Sequence, residues 1–345
     1  MRTIEVRGLR KEYRIPEKEP GLRGTVKHFV RPRYRPKVAL AGIDLDIEPG
    51  ESVGYLGSNG AGKSTTIKIL TGLLSPTGGY VRVNGFDPHR DRKRHVREIG
   101  AVFGHRTGLW WDLPVIDSFK TLSSMYEIPD AIYRANLELF TELLELGDFL
   151  SVPVRQLSLG QRMRADLAAA LLHDPKLIFL DEPTGGLDVN SKAAVRQFIR
   201  HLNRQQGTTV FLTSHDMADI EGICSRLVIL DRGSAVLDED IDKVKHRLAA
   251  DRRLVVTVSD SEDVTEVVRT VTNASGLTCT MLDRQRLSCE FDRTEATAAH
   301  LVGVIMRDHE IVDFELREPT LEQMVRRLFQ QPPAVLPPST EVRSR

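Results

Sequence analysis

No stretch of this 345-residue chain approaches the ~20 consecutive apolar residues that a bilayer-spanning helix requires. Work at a membrane therefore needs spanning helices from a separate subunit. The first residues, Met1-Arg2-Thr3-Ile4-Glu5-Val6-Arg7, hold no apolar signal core. Cysteine is scarce. Cys224, Cys279 and Cys289 are scattered without metal-ligand spacing, and their odd number argues against a disulfide framework. Buried or inert thiols in a reducing cytoplasm are expected. Net charge is absent too: Lys+Arg and Asp+Glu stand at 48 each, so the balance points to no nucleic-acid partner. Internal repeats are also missing.

What is present is an alternation of strands and helices. The length has room for one large and one small domain and for a core that needs no staples. Ile4 and Val6 alternate with polar residues as in an early strand. A basic segment over 10–37 follows, in which Pro16, Pro20, Pro32 and Pro36 exclude one long helix. It reads as an inserted loop with a short helix around 25–30, either a solvated surface or a contact for anionic headgroups or an acidic partner face. Residues 50–56, 80–83, 209–213 and 227–230 read as strands, and 64–70, 132–146 and 161–172 as helices. The expected fold class is α/β with a largely parallel sheet, carrying an inserted helical subdomain at about 107–170. After Arg232-Gly233 the pattern changes to βαββαβ, the order of a ferredoxin-like α+β domain. The expected boundaries are a main domain at 1–235, a helical linker at 236–252, a small domain with a closing helix at 253–330, and a disordered tail at 331–345.

Two distant stretches carry the chemistry. Gly57-Ser58-Asn59-Gly60-Ala61-Gly62-Lys63-Ser64 is a full G-x-x-x-x-G-K-S phosphate loop, placed between a strand and a helix that opens with Thr65 in its first turn. Its glycines permit a turn whose N–H groups face phosphate, and the helix dipole adds partial positive charge. Lys63 reaches the β- and γ-phosphates, and the Ser64 hydroxyl is a Mg2+ ligand. The second stretch, Leu177-Ile178-Phe179-Leu180-Asp181-Glu182, is an apolar strand ending in two carboxylates. Asp181 suits the metal, and Glu182 suits the attacking water as general base. His215 follows the strand at 209–213; strand C-termini share one edge in a parallel sheet, which brings it to the γ-phosphate. Together these motifs imply ATP hydrolysis coupled to another process.

Leu157-Ser158-Leu159-Gly160-Gln161 resembles the signature of ATP-binding cassette (ABC) ATPases, usually written LSGGQ. Asp181-Glu182-Pro183-Thr184 and Gly186-Leu187-Asp188 resemble its Walker B extension and D-loop. The resemblance covers about residues 1–235. It implies a P-loop NTPase core and a head-to-tail dimer with two ATP molecules between protomers. Ser158, Gly160 and Gln161 would then face the nucleotide held by the other copy, and Asp188 the opposing phosphate loop. Ser158 also reads as a plain N-cap, and the two roles are compatible. Tyr13 matches the family's adenine-stacking aromatic, at a separation stretched by the basic insert; otherwise it is a core or surface aromatic.

One departure stands out. The family glutamine that reaches Mg2+ and the attacking water is replaced in this register by His105, and no glutamine lies between Ile99 and Ile116. Imidazole is a poorer Mg2+ ligand than a carboxamide oxygen. Three roles stay open for His105: action through a bridging water, phosphate contact when protonated, or no engagement with the metal. Trp110 and Trp111 lie where the family docks the permease's coupling helix, and read either as core or as a hydrophobic socket. The segment 109–114, the signature region and the small C-terminal domain look most like the ATP-binding subunits of ABC-2-type exporters. That resemblance implies a separate integral membrane permease, a second copy or a paralogous ATPase subunit, and a peripheral place on the cytoplasmic face of the membrane. The alternatives are an importer ATPase, disfavoured by the small βαββαβ domain, and a soluble ABC ATPase acting on ribosomes or DNA, disfavoured by a single phosphate loop and no long heptad run.

Overall fold

In the computed structural model, which describes residues 2–16, 34–104, 106–248, 251–292, 296–317, 320–323 and 325, the chain divides into two units, Met1–Ile241 and Asp242–Arg345. The first is built on two sheets. β1 (Ile4–Pro16) pairs antiparallel with β2 (Tyr34–Ile47), and β4 (Gly78–Val83) pairs on its other side. β3 (Ser52–Gly57), β5 (Ile99–Phe103), β6 (Leu177–Asp181), β7 (Thr209–Thr213), β8 (Arg226–Asp231) and β9 (Ser234–Asp240) form a six-stranded sheet of order β5-β6-β7-β3-β8-β9. Its neighbours are parallel up to β8, and β9 closes the edge antiparallel.

The central strands are buried on both faces, as a parallel sheet covered by helices requires. Tyr55, Phe179 and Phe211 fill the middle, with ring centroids 4.9 Å apart for Tyr55–Phe211 and 5.6 Å for Phe179–Phe211. The Tyr55 hydroxyl stays satisfied at 3.1 Å from Thr66, on the helix that follows the phosphate loop. Among the described residues between β5 and β6 stand three α-helices, Val115–Tyr126, Asp130–Leu143 and Leu159–Leu171. Pro114 and Pro129 precede the first two, where a missing N–H costs nothing.

Two expectations for this unit need correction. The basic segment 10–37 is not one loop: β1 runs to Pro16 and β2 starts at Tyr34, paired to each other to the end. Pro16 and Pro36 exclude a helix but are tolerated in an edge ribbon, which is what forms. The short helix expected at 25–30 lies outside the described residues. The linker expected to be helical over 236–252 begins as strand β9, and among its described residues the helix is Ile241–Leu248. Asp238 holds β9 to β8 through both nitrogens of the Arg226 fork at 2.6 and 2.8 Å, and Leu237 turns inward.

The second unit contains β10 (Asp251–Val258), the helix Val264–Ser275, β11 (Cys279–Met281), β12 (Arg286–Asp292), the helix Ala298–Ile305 and β13 (Ile311–Arg317). The sheet order is β11-β12-β10-β13, antiparallel throughout, with Leu254, Val256, Val267, Val271, Leu287 and Leu301 in its core. Of the closing helix expected over 321–329, residues 321–323 and 325 are described, with Leu321 and Val325 buried. The tail at 331–345 lies outside the described residues. The thiol expectation also changes. Cys279 and Cys289 face each other across β11 and β12, with Cα atoms 4.1 Å apart, and are joined as a disulfide. Hairpin register makes them neighbours, and sequence spacing alone does not reveal it. Cys224 is the free cysteine, buried as expected, and burial pushes its thiol well above the ordinary range.

Candidate functional site

The phosphate loop leaves the C-terminal end of β3 and enters the helix Lys63–Leu70 at Gly62. Gly62 has φ 113°, and a Cβ there would stand 2.8 Å from the Ala39 carbonyl, so only glycine fits. The Lys63 ammonium donates to the carbonyls of Gly57 at 2.6 Å and Ser58 at 3.3 Å, curling over its own loop. Burial holds Lys63 below the ordinary lysine range, against the opposing pull of Glu182 and Asp181. A 520 Å³ cavity opens here. One wall is the loop, with Ser58, Asn59, Gly60, Gly62, Lys63, Ser64 and Thr65; the other is the β1–β2 ribbon, with Tyr13, Arg14 and Lys37. Glu182 also reaches it. Tyr13 stands over the loop with its hydroxyl 3.4 Å from Thr65 and the Lys11 ammonium 5.4 Å from its ring centroid. Ala61 is buried beneath the loop.

β6 delivers the carboxylates. Asp181 pairs in register with Thr213 of β7 and accepts its hydroxyl at 2.6 Å. Glu182 has left the strand at φ 55°, a left-handed conformation rare for a side-chain-bearing residue. It is held there by its N–H to the Thr213 carbonyl at 3.0 Å and by Gly185 N–H to its own carbonyl at 3.2 Å. His215, just beyond β7 and 72% exposed, lies with Nδ1 3.4 Å from a Glu182 oxygen. Lys63, Ser64, Asp181, Glu182 and His215 thus gather at the same strand ends.

In the signature segment Leu159 borders a 430 Å³ cavity with Glu182 and His215, while the polar residues are engaged at helix ends. Ser158 caps the helix Leu159–Leu171 through a full capping box, accepting from Gln161 N–H at 3.2 Å while the Gln161 carboxamide accepts from Ser158 N–H at 2.9 Å. Asp188 caps the helix Val189–Gln206, accepting from the Ser191 amide at 2.9 Å and hydroxyl at 2.6 Å. These bonds hold Asp188 below the usual carboxylate range. The two caps adjoin: a Cβ on Gly160 would stand 2.5 Å from the Ser191 hydroxyl oxygen. Ser158, Gly160, Gln161 and Asp188 do not line the cavity of their own phosphate loop.

His105 lies outside the described residues. Its neighbours are fixed: Gly104 donates to the Asp181 carbonyl at 2.8 Å, and Arg106 to that of Phe103 at 2.8 Å. Trp110 and Trp111 are 37% and 48% exposed, so the core reading gives way. The Arg162 guanidinium lies 5.0 Å from the Trp111 ring centroid. Sequence reasoning missed Asp166, a lone acid on an otherwise apolar helix face. It accepts from the Thr107 hydroxyl at 2.8 Å and Gly108 N–H at 2.9 Å, and burial pushes it up to about 6 despite those bonds. Asp166 also borders a 390 Å³ cavity lined by Phe103, Leu122, Tyr126 and His173. Lys37 was missed as well; its pairing opposite Tyr13 depends on a ribbon register that the basic composition hid.

The ABC transporter family model matches residues 40–185. The daunorubicin resistance ATP-binding protein DrrA3 of Streptomyces coeruleorubidus is 32% identical over 293 residues, covering 85% of this chain and 91% of that protein. The ABC transporter ATP-binding protein NatA of Bacillus subtilis (strain 168) is 34% identical over 198 residues, 57% of this chain and 80% of that protein. A solved structure described as the dimeric, post-hydrolysis state of the ATP-binding cassette MJ0796 bound to ADP and Pi superposes with a TM-score of 0.57 at 26% identity, over 69% of this chain and 98% of that one.

Proposed function

The chain belongs to the ABC transporter ATP-binding family, and from that membership we propose that it is the ATP-hydrolysing subunit that powers a membrane permease, an exporter of the ABC-2 type. The carrying observation is the division of the site. Loop, carboxylates and His215 gather at one set of strand ends, while Ser158, Gly160 and Asp188 stand apart from that cavity with two helix N-termini. A helix N-terminus attracts anions. Such a half-site serves a nucleotide held by a second copy or a paralogous subunit, so ATP would be sandwiched between two chains.

Each residue has a chemical part. Tyr13 offers its ring to adenine. Residues 57–65 cradle the phosphates, and Lys63, freed from the Gly57 and Ser58 carbonyls, supplies charge to them. Ser64 and Asp181 are hard oxygen donors that fit Mg2+, which when bound neutralises phosphate charge. Glu182 takes the proton of the attacking water, and His215, with Nδ1 3.4 Å from Glu182, contacts the γ-phosphate side. Closure follows from ATP touching both copies, since a ligand shifts an equilibrium by its differential affinity. The protein would sit at the cytoplasmic face of the membrane beside its permease; no helix among the described residues is long and apolar enough to cross. The exposed Trp110 and Trp111 suit that partner's docking. The importer, ribosome and DNA alternatives find no support among these relatives.

Glu182→Gln tests the reading. Turnover is expected to fall roughly 10²–10⁴-fold, the range of general-base contributions, while ATP still binds and drives dimerisation in light scattering. Retained turnover above about a tenth of wild type removes Glu182 from that role.

A further inference from the structure

Asp219 is a fully buried carboxylate on the short helix Met217–Ile223, and the chemistry above does not use it. Three groups converge on it. One oxygen accepts from the hydroxyls of Thr184 and Ser214, the latter at 2.8 Å; the other accepts from Arg196 Nε at 2.6 Å. Thr184 and Ser214 are themselves buried. A carboxylate withdrawn from water is tolerated only with such full pairing.

The partners are informative. Thr184 lies two residues beyond Glu182, in the turn closed by the Gly185 N–H on the Glu182 carbonyl. Ser214 immediately precedes His215. Arg196 lies on the helix Val189–Gln206, whose N-cap is Asp188. One buried anion therefore ties the segment of the general base, the segment of the histidine and the helix carrying the residue aimed at the opposing copy. Glu182 occupies an intrinsically disfavoured backbone conformation, which persists only where neighbouring contacts hold it, and His215 is largely exposed. Arg196 is further braced by Asp216, at 3.4 Å, which Lys192 also holds at 2.8 Å.

We infer that Asp219 is a positioning residue for ATP hydrolysis. It keeps Glu182 and His215 in one frame and, through Arg196, registers that frame to Asp188, so arrival of the second copy is felt at the general base. This rests on the proposed ATPase reading and deepens it.

The test uses the full chain with Mg-ATP, comparing wild type, Asp219→Asn, His215→Ala and the double variant. Asp219→Asn is expected to lower kcat at least about tenfold with ATP Kd changed less than about threefold, and to add little to the His215→Ala loss, because both act through one unit. Hydrogen exchange is the readout that needs no turnover: peptides covering 181–187 and 213–216 should exchange faster in Asp219→Asn, with those covering 52–70 unchanged. Should Asp219→Asn fail to fold, Thr184→Val and Ser214→Ala remove one hydroxyl each and should give the same pattern in smaller degree. A kcat within about threefold of wild type, a loss that multiplies in full with His215→Ala, or uniform exchange across all peptides overturns the inference. Absence of ATP hydrolysis by wild type with its permease would instead overturn the ATPase reading, while the exchange pattern still decides whether Asp219 frames the two segments.

Discussion

Glu182 holds a left-handed backbone at φ 55°, which costs a residue with a side chain about 1–3 kcal/mol and persists only where surroundings over-determine it. The hydrogen bonds donated by Gly104 to Asp181, by Glu182 to the Thr213 carbonyl and by Gly185 to Glu182 do so. The strain at Glu182 is thus explained by contacts rather than by function. Contacts also define what Tyr13 can do. Its ring faces the cavity and its hydroxyl makes only a long contact to Thr65, so the ring should carry the binding. Tyr13→Ala is expected to weaken ATP affinity about 5- to 100-fold, the value of base–aromatic stacking, and Tyr13→Phe to leave it near wild type, read by fluorescence titration with a labelled nucleotide. Asp166 gives a pH signature. Its folded value, raised to about 6 by burial, exceeds that of the unfolded chain, so the native state binds the extra proton. Stability then falls as pH rises from about 4 through about 6, by an amount on the order of 3 kcal/mol. Asp166→Asn cannot titrate. Its stability relative to wild type should climb across that window in paired urea denaturations at each pH, and a flat difference removes the buried-acid account.

Helix ends decide what the signature segment does. Ser158 completes a capping box, and a cap alone would explain its presence. The two roles separate by substitution. Ser158→Ala should cost about 1 kcal/mol of stability and also lose ATP-driven dimerisation. Ser158→Asp should restore the cap and the melting temperature, yet still fail to dimerise, because a carboxylate would meet the phosphates of the opposing nucleotide. Dimerisation by the aspartate variant makes Ser158 a cap only. The elements most legible in the sequence were those whose pattern is local. Residues 209–213 read directly as strand because five buried residues with β-branched ends leave little choice, and 57–64 because its glycines serve one backbone path. β9 was hidden: its exposed antiparallel edge needs few apolar residues, so Ser234–Asp240 looked like linker until Asp238 met Arg226. The β1–β2 ribbon was hidden by charge, and the Cys279–Cys289 bond by hairpin register. Asp219 was invisible for the same reason, since Thr184, Ser214 and Arg196 meet only after β6 and β7 are paired and the helix between them is packed back.

At the scale of the molecule, the first unit holds the two groups proposed to contact nucleotide on different ends of its own elements. The phosphate loop, Asp181, Glu182 and His215 belong to strand ends; Ser158 and Asp188 belong to helix ends that do not line that cavity. If function needs both halves on one ATP, head-to-tail association of two chains supplies them twice, with two-fold symmetry. This makes complementation possible. Lys63→Ala loses the phosphate half, and Ser158→Asp loses the signature half; paired with its own kind, either variant has both composite sites broken. In a mixed dimer both lesions fall on one composite site, and the other is built from an intact phosphate half and an intact signature half. At equal mixing, half of all chance pairings are mixed and each of these keeps one of two sites, so activity should return to about a quarter of wild type if sites work independently and pairing is unbiased. Activity of the mixture is measured by phosphate release against each variant alone. Mixtures no more active than their components, at concentrations where light scattering shows mixed dimers, would mean that each chain completes its own site and that the separation of the two halves has no catalytic meaning.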